Sequence, residues 1–217
     1  MGFRKVTNKG GVRKFIGKFP SFIHNKIIWY ESRLERDFLY HLEFDYRDVL
    51  NVYEQACRIR YMHEGKRRRF TIDFVVPRRH KKQLIEVKYS KRALQEKYQP
   101  AFHAARELGE RAGYEFKVVT ELVIRRQPRL NNTKLLIYHQ RTPIYPQHQI
   151  LCHEFLRDRE ESCLEEIMEF FRTRSMDKSV VYTLLRWGVI GFDLDMPLIP
   201  EARVYLPGRD VCSRRVA

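Results

Sequence analysis

Asp73, Glu86 and Lys88 stand on two runs, residues 69–77 and 82–89, in which apolar and polar side chains alternate. That period of two predicts β-strands whose side chains point to opposite faces. If the runs pair antiparallel with Asp73 opposite Glu86, then Phe74 falls opposite Ile85, Ile72 opposite Val87 and Thr71 opposite Lys88. One face is then apolar, and the other carries two acids and a lysine. Pro77 faces Lys82, leaving residues 78–81 as a four-residue loop, a length that hairpins use.

Two carboxylates this close repel, and a divalent cation between them removes the repulsion. Mg²⁺ is the natural occupant, with Mn²⁺ as a substitute, because it is hard and is held by one or two carboxylates with waters and substrate phosphates. Such an ion activates water and screens the charge that develops on a phosphodiester during in-line attack. Lys88 would orient the water or neutralise the transition state. The plainer alternative is a set of cross-strand ion pairs on a solvated face.

The elements that must hold these groups are legible on both sides. Leu34, Phe38, Leu39 and Leu42 predict an amphipathic helix over 31–43, with Ser32 as N-cap and Glu35 at the capping-box position. Glu35 either closes its own helix or supplies a third carboxylate to the site. Residues 48–54 and 56–62 read as two strands, with Glu64 and Gly65 as a turn. Residues 91–112 read as a helix that Pro100 kinks or starts and Gly113 ends, and 116–121 as a buried strand. Strand, helix, strand implies a parallel crossover. After a short helix over 131–139, Pro143 and Pro146 mark a domain boundary.

Residues 147–217 read as a smaller unit with three helical stripes, at Ile150, Leu151 and Phe155, at Leu164, Ile167 and Phe171, and at Val180, Leu184 and Leu185. Alternation through Ile190, Phe192, Leu194 and Met196 then predicts a hairpin with residues 203–206. Three helices and a hairpin outline a winged helix. The acids Glu160, Glu161, Glu165, Glu166 and Glu169 suit a protein contact there better than phosphate.

Composition narrows the partner. The 217 residues are 43% hydrophobic and 13% aromatic, as in a globular chain, and the net charge is +15. Such a charge favours a polyanion, and with no run long enough to span a membrane, nucleic acid is the better fit. The first 30 residues contain no acid, and residues 1–20 read as a basic arm, either ordering on phosphate or staying a solvated tail. Cys57, Cys152, Cys163 and Cys212 lack metal-ligand spacing and predict reduced thiols in a cytoplasmic protein. No phosphate-binding glycine loop is present, which argues against ATP hydrolysis.

Glu35, Asp73 and Glu86-x-Lys88, followed by a helix and strand, resemble the restriction-endonuclease-like nucleases. Ile72 stands where that superfamily usually has proline. Within it, residues 32–35, 73–76, 86–88 and 93–96, with the strand at 116–120, resemble TnsA, the endonuclease subunit of heteromeric cut-and-paste transposases. Some relatives carry Gln where this chain has Glu86. The resemblance, over about residues 20–140, implies a mixed sheet flanked by helices over 21–143, with 147–217 as a winged-helix-like partner-binding domain. It implies Mg²⁺-dependent cleavage of double-stranded DNA at the 5′ ends of a transposon, with Glu35, Asp73 and Glu86 as metal ligands and Lys88 as catalytic lysine. It also implies a DDE transposase and an AAA+ ATPase regulator as partners. The expected phosphate grip is Lys66, Arg67, Arg68, Arg69, Arg78, Arg79, Lys81, Lys82, Lys91, Arg92, Arg125 and Arg126.

Overall fold

A computed structural model describes residues 15–159 and 162–208. The chain divides into two compact units, Met1–Arg126 and Gln127–Ala217. Expectations for residues 1–14, Glu160, Glu161 and Cys212 lie outside the described residues.

The first unit begins with a hairpin of β1 (Gly17–Ser21) and β2 (Lys26–Tyr30). Residues 17–20, expected in the basic arm, are thus strand, because Phe19 has Ile28 and Tyr30 to be buried with. Next comes α1 (Arg33–Phe44), where the Ser32 side chain accepts the Glu35 N–H at 3.1 Å and so caps the helix. Its stripe of Leu34, Phe38, Leu39 and Leu42 is buried, each such side chain contributing about 1.5–3 kcal/mol.

The chain continues through β3 (Tyr53–His63), β4 (Lys66–Pro77) and β5 (Lys82–Val87). Then follow α2 (Ser90–Ala93), a 3-10 turn (Glu96–Tyr98), α3 (Gln99–Arg111), β6 (Glu115–Val119) and α4 (Glu121–Ile124). The sheet order is β3-β4-β5-β6, antiparallel except for the parallel β5–β6 pair that α3 connects. The two strands expected over 48–62 are one: before β3 there is only a bridge from Val49 to Arg78. Inside β3, Gln55 and Ala56 bulge opposite Asp73, with Gln55 at φ 47°. A bulge absorbs the extra residue and bends the strand. The single helix expected over 91–112 is broken, and Pro100 lies in the first turn of α3, where its missing N–H costs nothing.

Two apolar clusters cover the sheet. Phe74, Val76, Ile85 and Val87 pack with α1, whereas Ile72 packs with Ile59, Leu84, Phe102 and Phe116. The expected single apolar face is therefore divided, and the division falls at the bulge.

The second unit comprises α5 (Arg129–His139), α6 (Pro146–Leu156), β7 (Ser162–Cys163), α7 (Leu164–Arg172), α8 (Lys178–Arg186), β8 (Gly191–Phe192) and β9 (Arg203–Tyr205). Its small sheet runs β7-β9-β8, all antiparallel. The expected hairpin is present as β8 and β9, shortened and joined by β7. Because α5 packs on α8, the division between units falls before α5, earlier than Pro143 and Pro146. Thr183 Oγ1 donates to the His139 carbonyl at 2.7 Å, and Arg129 forms a two-point ion pair with Asp195 at 2.8 and 2.7 Å.

Candidate active site

The β4–β5 ladder runs from Pro77–Lys82 to Phe74–Ile85, in the register read from the sequence, and stops there. Continued by one residue, that register sets Asp73 against Glu86. Here a side chain takes over from the backbone: Asp73 Oδ2 accepts the Val87 N–H at 2.7 Å. The strands part where the acids sit, at the bulge in β3.

Glu86, at the end of β5, is buried. Its Oε1 pairs with the Lys88 ammonium, and its Oε2 is buried with no hydrogen-bond partner. The Lys88 backbone is fixed by its N–H donating to the Val119 carbonyl at 3.1 Å. Its ammonium lies 4.6 Å from the Tyr98 ring centre and 5.6 Å from that of Phe102. These rings hold the cation by their negative faces. Neither Tyr98 nor Phe102 is among the site residues expected from the sequence. Their i, i+4 spacing, directly after Glu86-x-Lys88, was the available signal.

Burial, the Glu86 charge and the Glu35 charge push the Asp73 carboxyl well above its usual range. Burial also raises Glu86, against the pull of Lys88. Burial raises Glu35 too, with Glu31 and Glu86 adding repulsion. The three acids thus feel one another, and the lysine joins them. Yet among the described residues no group of three or more His, Cys, Asp or Glu side chains is placed to hold a metal ion. The Glu35 Oε2 accepts the Glu31 N–H at 2.7 Å, at its own helix start. The pair Asp73 and Glu86 still fits Mg²⁺, which is content with one or two carboxylates and its own waters. The unpartnered Glu86 Oε2 is the oxygen such an ion would satisfy.

The basic residues divide. Lys66, Arg67, Arg68, Arg69, Arg79, Lys81, Lys82, Lys91 and Arg92 are exposed. Arg78 is instead engaged, donating to Asp45 and Asp48 at 2.6 Å each and to Gln83 at 2.6 Å. Arg125 donates to the buried Asp37 at 2.9 Å and to the Tyr89 hydroxyl at 3.1 Å. Both were expected to grip phosphate; both hold the first unit together, and Arg126 also has a partner within the protein. Asp37, the acid that draws in Arg125, was not anticipated because its neighbours form a plain amphipathic stripe.

A mixed four-stranded sheet with helices packed on it, with paired acids where two strands part, is the arrangement of the restriction-endonuclease-like nucleases. Residues 46–121 match the family described as TnsA-like endonuclease N terminal, which supports a TnsA-type nuclease. The match contains Asp73, Glu86 and Lys88 and ends before the second unit; Glu35 precedes it. No curated protein matches the chain.

Proposed function

We propose that the protein is the Mg²⁺-dependent DNA endonuclease subunit of a heteromeric transposase, cutting at the 5′ ends of a transposon in the bacterial cytoplasm. The observation that carries this is Asp73 and Glu86 facing each other across a parted ladder, with a buried oxygen of Glu86 left unpartnered beside the Lys88 ammonium. Asp73 and Glu86 would hold the metal, which when bound supplies Lewis-acid polarisation of phosphate and water.

The chain's own residues do the rest. Asp73 is fixed by the Val87 N–H, so its second oxygen has a defined direction. Glu35 adds negative charge and thereby strengthens the pair's demand for a cation. Lys88, braced by Tyr98 and Phe102, orients a water for in-line attack or stabilises the charge that builds on the phosphate. Lys66, Arg68, Arg79, Lys81, Lys82, Lys91 and Arg92 grip the phosphates. The second unit takes the protein partners, a DDE transposase and an AAA+ ATPase regulator. The acids Glu165, Glu166 and Glu169 exposed on α7 favour protein over phosphate there.

The test is Asp73→Ala, assayed with Mg²⁺ and the partner transposase on a duplex carrying the transposon end. Loss of 5′-strand cutting by about a thousandfold or more, with duplex binding retained, is expected. Undiminished cutting removes the reading.

A further inference from the structure

β3 and β4 continue together beyond the rest of the sheet. β5 pairs only with residues 74–77 of β4, whereas β3–β4 pairing extends to His63–Lys66 and closes on the Glu64–Gly65 turn. Residues 57–63 and 66–72 thus form a two-stranded ribbon, and its register decides what each face carries. Ile59 with Phe70 and Tyr61 with Arg68 share one face, whose Ile59 and Phe70 pack against Phe102 of α3. The opposite face carries Arg58 with Thr71, Arg60 with Arg69 and Met62 with Arg67.

Arg58, Arg60, Arg67 and Arg69 are all exposed, and among the described residues none of them has an ion-pair partner. Like charges directly across a strand pair destabilise it, so this face costs the free protein stability that a polyanion would restore. We propose that it enters the major groove of double-stranded DNA and reads guanine there. The inference rests on the DNA-cleaving reading above and adds base recognition to it.

The dimensions agree. Two strands about 4.8 Å apart, with their side chains, fit a groove about 12 Å wide, which admits a β-ribbon. The guanidinium fork pairs with guanine O6 and N7 together, which an ammonium does not. Arg69 and Arg67 lie four and six residues from Asp73 on the same strand. At about 3.3 Å per residue and 3.4 Å per base pair, the bases read lie within roughly six base pairs of the cut phosphate. Lys66 and Arg68, on the other face, are left for phosphate.

The full chain is titrated with three duplexes of about two helical turns: one rich in G·C, the same duplex with 7-deazaguanine for guanine, and one of A·T only. The wild type is expected to prefer the first by about tenfold or more, because each fork contributes about 1–3 kcal/mol. R60K/R69K, which keeps both charges, should lose that preference and keep the salt slope. K66A/R68A should weaken all three alike and keep the preference. Equal wild-type affinity for the three duplexes, or an unchanged preference in R60K/R69K, overturns base reading while the DNA-cleaving reading stands. Binding to none of them overturns both.

Discussion

The Lys88 ammonium rests on the Glu86 carboxylate, with 15% and 5% of the two side chains exposed. In this pair the Lys88 ammonium offsets the buried Glu86 charge. Lys88→Met leaves Glu86 buried alone and should destabilise that protein by about 3 kcal/mol. Adding Glu86→Gln should recover most of the loss. Urea unfolding at pH 7 reads both; a double variant as unstable as Lys88→Met alone would show that the lysine acts through packing on Tyr98 and Phe102.

Arg78 is an arginine engaged within the first unit. It ties the loop after β4 to Asp45 and Asp48 just beyond α1. Arg78→Ala should cost about 1.5–3 kcal/mol, the range for hydrogen bonds to charged groups, and leave the salt dependence of duplex binding unchanged. A slope reduced by about one would mean that Arg78 meets a phosphate.

Glu115 gives the first unit an acid-sensitive contact. Lys117 at 2.8 Å and Gln83 at 2.8 Å hold its carboxyl down to about 2. A carboxyl depressed on folding stabilises above its unfolded value and loses that contribution as pH falls toward the folded one. The Glu115 side chain is 42% exposed, so the contribution is a screened one of about 0.5 kcal/mol. Stability measured between pH 5 and 2 should fall less steeply in Glu115→Gln, by about that amount; parallel curves count against the linkage.

Cys152 is buried in α6, and burial pushes its thiol up to about 12. The thiolate is the reactive form. At pH 8 iodoacetamide should therefore leave Cys152 unmodified in the native protein and modify it in urea, as read by peptide mass spectrometry. Rapid native labelling would place Cys152 outside the core.

Much of this was legible because strand alternation fixes register. Phe74 opposite Ile85 and Pro77 opposite Lys82 follow from matching apolar faces alone, and with them the approach of Asp73 to Glu86. Ser32 as cap follows from the acceptor its side chain supplies, and Pro100 as a kink or a helix start from the backbone donor it lacks. What alternation cannot carry is an irregularity. The bulge at Gln55 leaves no compositional trace, yet it divides the apolar face between Ile72 and Phe74. The direction of Glu35 was equally hidden, since a carboxylate at that helix position serves the Glu31 N–H or a neighbouring site with the same sequence. The ion pairs of Arg78 and Arg125 were hidden because their acids, Asp48 and Asp37, come from elsewhere in the chain.

The Val87 N–H that Asp73 accepts is the rung that a main-chain carbonyl would otherwise have taken. Fraying at that corner would consequently release the Asp73 carboxylate as well. A longer acid such as glutamate at position 73 would displace both partners together.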